Sequence, residues 1–327
     1  MIIGRQTRWF VAVCLGLCAA VANADPHTVR VAVLADGTVA WEIETIQRYG
    51  LDDKHGLSLD VVRLVTPTAG KIALQADRVD VIVADWLWVG RQRNQGASWT
   101  FAPYSRAVGG LVARQNGATR GIAGLDGARI GIVGGPLDKN WLILRAYAME
   151  QGQPDPAGRA QPVYGAPPLM SRQLEAGRID MVLTYWHYAA RLEAAGYHRV
   201  MDVNEMTQGL GLSADVPILG YVFDAEWAAR ERAAIDAFLA ASREAKERLL
   251  RDDEAWQRLR PSMDVQDEAE FLALRDGFRD GIPRQWGQSE RAAARALWEI
   301  LRDYGGRDLV GEGKTLTPGT FWDGLDH

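Results

Sequence analysis

Four tryptophans each follow a predicted β-strand, and they are the residues of this sequence that bear most directly on chemistry. They are Trp41, Trp86, Trp141 and Trp186. In an open α/β sheet, the carboxyl ends of the strands line the crevice where ligands bind. Large aromatic side chains at that edge suit a flat, apolar or conjugated molecule. We expect these tryptophans to contact a ligand, and packing in the core is the alternative for each of them.

A glycine loop entering a helix adds a candidate anion site. The segment GGPLDKNW (134–141) contains Gly134 and Gly135 before the helix and Lys139 at its start. The first N–H groups of a helix have no internal partner and carry a partial positive charge. The loop therefore predicts an anion cradle, although it matches neither the dinucleotide fingerprint nor the Walker loop. Thr66 and Thr68 offer hydroxyls at another helix start, where helix capping is an equally favoured role.

The remaining candidates also follow strands. Asp85 can accept a hydrogen bond from a ligand or cap the next helix, and capping is favoured. Trp86 and Trp88 both stand near the end of the third predicted strand, and one of them is expected to belong in the core. Arg106 is a further cation that either reaches the site or stays solvated. The predicted ligand-binding residues are Asp36, Thr38, Trp41, Thr66, Thr68, Asp85, Trp86, Arg106, Gly134, Gly135, Lys139, Trp141, Tyr185 and Trp186.

Catalysis, metal binding and nucleic-acid binding are not indicated. The five histidines are scattered without the spacing of metal ligands, and no G-x-S-x-G or Ser/His/Asp arrangement is present. The sequence therefore predicts no catalytic residue, no metal site and no cofactor. A formal net charge of -5 argues against nucleic acid as a partner, because such partners need a basic surface.

The N-terminus has the three parts of a secretory signal peptide. Arg5 and Arg8 precede an apolar stretch over residues 9–21, and Ala22-Asn23-Ala24 forms a small-residue cleavage site. The apolar stretch is shorter than the roughly 20 residues that a membrane span needs. We predict a signal peptide over residues 1–24 and an exported mature chain that lacks both cysteines.

The hydrophobic pattern predicts two similar α/β units followed by helices. Buried strands are predicted at 29–35, 58–65 and 79–84 in the first unit, and a second unit begins near Gly109. Each unit contains the step of a basic residue, an apolar residue and an aspartate, at residues 78–80 and 178–180. From Ala225 onwards the pattern is helical. Two lobes with a cleft between them are the simplest architecture with this repeat.

Several segments, taken in order, resemble a known family. They are KHGLSLDVV, ALQADRVDVIVAD, IAGLDGARIGIV, LEAGRIDMVLTY, GYHRVMD and AAIDAFLAASREAKERLL. In these segments the chain resembles the nitrate-, sulfonate- and taurine-type periplasmic solute-binding proteins of ABC importers. The resemblance implies an α/β, two-lobed type II periplasmic-binding-protein-like fold with a ligand cleft and a hinge. It places lobe 1 at 25–107 and 216–327, and lobe 2 at 108–215.

The resemblance also implies a function. We expect a monomeric periplasmic binding protein, not an enzyme, which closes on a small anionic ligand and delivers it to an ABC permease and ATPase in the inner membrane. The aromatic and cationic candidates favour a planar aromatic anion such as pyrroloquinoline quinone, or another aromatic carboxylate or sulfonate. Two alternatives stay open: a binder of aliphatic sulfonate, taurine or nitrate, and an enzyme on the same fold, either a pyrimidine-precursor synthase or a lyase.

Overall fold

The computed structural model describes residues 27–35, 37–114, 118–212 and 216–325. The predicted signal peptide and Asp36 lie outside these residues. The strands are β1 (His27–Leu34), β2 (Leu57–Leu64), β3 (Ile82–Asp85), β4 (Trp99–Ser105), β5 (Gly109–Ala113), β6 (Arg129–Val133), β7 (Gln161–Gly165), β8 (Met181–Tyr185), β9 (His198–Asp202) and β10 (Leu219–Asp224).

Helices alternate with the strands and then dominate the C-terminal part. They are α1 (Val39–Arg48), α2 (Leu51–Lys54), α3 (Pro67–Gln75), α4 (Trp86–Arg93), α5 (Lys139–Glu150), α6 (Pro156–Arg159), α7 (Pro167–Glu175), α8 (Trp186–Ala194), α9 (Val203–Gly209), α10 (Ala225–Arg230), α11 (Arg232–Arg251), α12 (Asp253–Leu259), α13 (Glu268–Gly281) and α14 (Gln288–Val310). None of the helices in the described part of the chain has the length and apolar character to cross a membrane.

Two sheets with the same plan organise the molecule. In the first, β1 pairs with β2 in parallel, a bridge between Val31 and Val81 links β1 to the segment before β3, and β10 lies antiparallel between β3 and β4. The second has the order β7-β6-β8-β5-β9, with β5 antiparallel to both its neighbours. We call the first sheet with α1–α4 lobe 1, and the second with α5–α9 lobe 2. Each sheet contains one strand that enters from the other lobe, as the two-lobed fold requires.

The repeat seen in the sequence is a repeated contact between strands. In lobe 1, Asp80 accepts hydrogen bonds from the backbone N–H and the guanidinium of Arg30 at 2.8 and 2.6 Å. In lobe 2, Asp180 accepts the equivalent bonds from Arg129 at 2.8 and 2.9 Å. The aspartate of each step therefore ties the start of β3 to β1 in lobe 1 and the start of β8 to β6 in lobe 2, and its arginine partner lies in β1 or β6.

The C-terminal helices connect the two lobes. The apolar face of α11 packs on α1 and β1 of lobe 1. Helix α13 packs against α8 of lobe 2, and α14 contacts both α4 and α5. The sequence indicated a simple return to lobe 1, whereas α13 and α14 contact helices of both lobes.

Candidate ligand-binding site

A cavity of about 740 Å³ opens at the carboxyl ends of strands from both sheets. Lobe 1 contributes the ends of β1, β2 and β3 and the starts of α1, α3 and α4. Lobe 2 contributes the loop after β6 and the junction between β8 and α8. Most of the wall is apolar. The cavity therefore lies where the sequence predicted a ligand crevice.

Five helices begin at this wall, so their positive dipole ends converge on one space. Side chains cap three of them: Thr66 accepts from the backbone of α3 at 3.2 Å, Asp85 from that of α4 at 2.8 Å, and Asp138 from that of α5 at 2.9 Å. The two other starts, at Thr38 for α1 and Tyr185 for α8, have no side-chain cap. One uncapped helix start from each lobe therefore faces the cavity, and such a start suits an anion.

Two lysines from opposite lobes face the same space. The ammonium of Lys71 lies 5.2 Å from the ring centre of Trp88, and both residues line the cavity. Burial alone would raise the pKa of Asp85, but the charges of Lys71 and Lys139 outweigh it and lower that pKa. Asp85 is thus ionised at neutral pH and offsets part of the positive charge.

Lys139 is the cation that lobe 2 contributes. Burial alone would lower its pKa, but the negative charges of Asp138 and Asp85 outweigh burial and raise it. Burial also raises the pKa of Asp138 and of Tyr185. Lys139 therefore stays charged at neutral pH, and Tyr185 stays a neutral hydroxyl.

His187 lines the cavity as a neutral ring. Burial, together with the charge of Arg191, lowers its pKa to about 3. Its Nδ1 atom is buried and has no hydrogen-bond partner in the described structure. No group of three His, Cys, Asp or Glu side chains within the described ranges is arranged to hold a metal ion.

Comparison with solved structures identifies the fold. The periplasmic aliphatic sulphonate binding protein SsuA of Escherichia coli superposes with a TM-score of 0.71 at 17% identity, over 92% of this chain and 99% of that one. SsuA of Xanthomonas axonopodis pv. citri, an alkanesulfonate-binding protein bound to MOPS, gives 0.68 at 14% identity, over 91% and 99%. This chain has the fold of the periplasmic solute-binding proteins. The nitrate-binding protein NrtA of Synechocystis PCC 6803 also matches, with a TM-score of 0.57 at 15% identity over 81% and 75%.

That fold was predicted from the sequence, and the structural likeness confirms it. No family model matches the sequence, and no curated protein sequence does. The likeness therefore lies in the three-dimensional arrangement of the chain.

Most of the predicted site residues meet at the cavity. The residues brought together there are Thr38, Thr66, Thr68, Asp85, Gly134, Lys139, Tyr185 and Trp186. Gly135 and Arg106 are not part of the wall. The backbone N–H of Arg106 donates to Gly281 at 2.9 Å, and its carbonyl accepts from Asn204 at 3.2 Å, so it lies at the crossover between the lobes.

Three of the four tryptophans that suggested a ligand contact are core residues. Trp41, Trp86 and Trp141 are at most 5% exposed and do not line the cavity. Each lies in the first turn of a helix that begins just after its strand, and that turn directs the ring into the protein. The expectation of ligand contact is thereby corrected for these three side chains, and Trp186 alone of the four lies on the wall.

Trp88 takes the place on the wall that Trp86 was expected to fill. The helix α4 begins at Trp86, so these residues lie about 200° apart around its axis. Trp86 is fully buried and donates from Nε1 to the carbonyl of Pro217 at 3.1 Å, while Trp88 faces the cavity. Tyr104, on β4, is a second wall residue that the sequence did not indicate, since no strand was predicted there.

Proposed function

We propose that this protein is the periplasmic solute-binding component of an ABC importer and that it captures an organic anion between its lobes. The observation that carries the proposal is the convergence of five helix N-termini and two lysines, one from each lobe, on a single cavity. The solved neighbours support it, because the proteins named in them bind sulfonates or nitrate. Closure of the lobes would shield the ligand from water and strengthen each charged hydrogen bond.

The size and chemistry of the cavity favour an organic ligand over a bare inorganic ion. About 740 Å³ is within the usual range for sites that bury a small organic molecule, roughly 300–1,000 Å³. A nitrate ion would leave most of the apolar wall without a partner. The neighbour bound to MOPS supports an organosulfonate, and an organic carboxylate would use the same donors.

The body of the ligand can be aliphatic or aromatic. Trp88 and Trp186 offer ring surfaces, and both are packed against other tryptophans, at 6.5 Å to Trp99 and 6.3 Å to Trp41. The solved neighbours do not support pyrroloquinoline quinone, and three of the tryptophans that suggested a planar ligand lie in the core. The proposal is therefore an organosulfonate or organocarboxylate with an apolar body.

A thermal-shift panel tests this proposal. The panel holds nitrate, sulfate, butanesulfonate, MOPS, benzenesulfonate, phthalate and pyrroloquinoline quinone, with choline as a cationic control. An organic anion should raise the unfolding temperature in proportion to the logarithm of its concentration. Lys139→Ala should weaken that ligand roughly ten- to a hundredfold in calorimetry, because a charge-assisted hydrogen bond is lost. Stabilisation by choline alone, or by nitrate and sulfate with no organic anion, would refute the proposal.

A further inference from the structure

Tyr104 lies on the cavity wall in an unusual backbone position. In the pairing of β10 with β4, Leu219 faces Ser105 and the next residue, Gly220, faces Pro103. Tyr104 is therefore the extra residue of a β-bulge. Bulges redirect a side chain and are frequent beside functional sites. Tyr104 lines the cavity together with Thr38, which stands at the start of α1.

Among the residues that the structure describes, the hydroxyl of Tyr104 has no partner in hydrogen-bonding geometry. The residue is only 3% exposed, and its hydroxyl oxygen is buried with no partner in hydrogen-bonding geometry in the part of the chain that the structure describes. Thr38 is close enough to influence the hydroxyl but lies outside that geometry. Buried polar groups in native proteins are nearly always hydrogen-bonded, so such a group on a cavity wall points to an acceptor from outside the chain.

A buried charged cluster holds the ring of Tyr104 from behind. The ammonium of Lys246 lies 4.5 Å from the centre of that ring and 2.6 Å from a carboxylate oxygen of Glu42. The ring also packs edge-on against Tyr221 at 5.3 Å, and the Tyr221 hydroxyl donates to Glu42. Burial and the negative charge of Glu42 raise the pKa of Tyr104 well above its usual value, so the phenol remains protonated.

We propose that Tyr104 donates its hydroxyl hydrogen to the anionic group of the ligand at the uncapped start of α1. This assignment rests on the proposed function and adds a ligand-contacting residue to it. Tyr104 lies at the bulge and lines the cavity, the helix start favours negative charge beside it, and the cluster behind the ring fixes its position. An acceptor-rich group such as a sulfonate or carboxylate satisfies the hydroxyl, whereas an alkylammonium group does not.

Calorimetry with butanesulfonate and MOPS on two matched variants tests the assignment. Tyr104→Phe should weaken binding of the probe roughly ten- to a hundredfold and leave the unfolding temperature of the ligand-free protein unchanged or higher, because only an unpartnered hydroxyl is removed. Thr207→Val is the control, since the Thr207 hydroxyl is also buried, donates to the carbonyl of Val203 at 2.9 Å and does not line the cavity. It should lower the unfolding temperature and change the affinity less than threefold.

The outcomes separate this assignment from the proposed function. If the wild type binds a probe and Tyr104→Phe binds it equally well, the assignment is wrong and the proposed function stands. If Tyr104→Phe lowers the unfolding temperature as Thr207→Val does and keeps its affinity, Tyr104 is a structural residue only and the assignment is wrong. If the wild type binds neither these probes nor any other organic anion, both proposals fail.

Discussion

At the scale of single residues, the buried pair of Glu42 and Lys246 has the largest expected effect on stability. Glu42 is 0% exposed and Lys246 is 8% exposed. Lys246→Met leaves a buried carboxylate without its cation, which typically costs about 3–5 kcal/mol. Urea denaturation of the ligand-free protein should show this loss in the free energy of unfolding.

An exposed ion pair of the same chemistry is the control for that measurement. Lys54 contacts Glu244 at 2.7 Å, and its side chain is 59% exposed. Lys54→Met should cost less than about 1 kcal/mol, because solvent screens the pair. If Lys54→Met and Lys246→Met lowered the free energy of unfolding equally, burial of the Glu42–Lys246 pair would not increase its contribution to stability.

His187 should make the protein sensitive to mild acid. Its pKa in the folded protein is about 3, against 6.5 for the unperturbed ring, so between these values the unfolded chain binds a proton that the folded protein does not. Stability contributed by the neutral ring is therefore present above pH 6.5 and lost as the pH falls. Between pH 6.5 and 5 this loss amounts to about 2 kcal/mol.

The measurement compares wild type with His187→Asn, which cannot gain a proton in this range. The free energy of unfolding, measured without ligand at pH 7 and pH 5, should fall further for wild type than for the variant. Identical pH dependence of the two proteins would contradict the neutral, buried ring.

At the scale of elements, the contact between α13 and the segment that joins β4 to β5 explains why residue 281 is a glycine. A Cβ at Gly281 would lie 2.6 Å from the Cβ of Ala107, in the segment that joins β4 to β5, and 2.9 Å from Oγ of Ser105, the last residue of β4. Gly281→Ala should destabilise the protein by about 1–3 kcal/mol, the usual cost of overpacking. Gly158→Ala, where a Cβ meets nothing within 4 Å, is the matched control and should be nearly neutral. An equal effect of the two substitutions in urea denaturation would count against this packing.

The elements also show what the sequence could predict. The strands predicted at 29–35 and 58–65 are β1 and β2, and Thr66, considered as a cap, caps the start of α3. Two strands, β4 and β9, were not assigned, since one contains a proline and the other has only two apolar residues between polar ends. The role favoured for Asp85, capping the next helix, is confirmed, because its side chain accepts a hydrogen bond from the backbone N–H of Trp88 in α4.

More of the polar candidates than of the aromatic ones line the cavity. Caps and glycine loops mark a helix start, and five helix starts lie at the cavity, so the candidates Thr66, Asp85 and Lys139 are on its wall. A ring in the first helical turn can point either way, and its direction depends on packing that the sequence does not show. Tyr104 depended on a bulge between strands far apart in the chain, for which no local signal exists.

At the scale of the whole molecule, the two lobes share one plan and the C-terminal helices touch both. Helix α13 is joined to α8 by the ion pair of Arg191 with Glu270, and α14 packs on helices of each lobe. Relative movement of the lobes must therefore preserve or exchange these contacts. A ligand that contacts both lobes at once favours the closed form over the open form. The equilibrium between these forms shifts by the difference between the ligand's binding free energies for them.

The most direct test of the central claim is to identify the small molecule that co-purifies with the protein from its native host. The protein is purified under native conditions without added anions and denatured, and the released molecules are identified by mass spectrometry and titrated back by calorimetry. We predict an organic sulfonate or carboxylate that rebinds with one-to-one stoichiometry and is weakened by Lys139→Ala. Release and rebinding of a neutral or cationic molecule, with affinity independent of Lys139, would contradict the account.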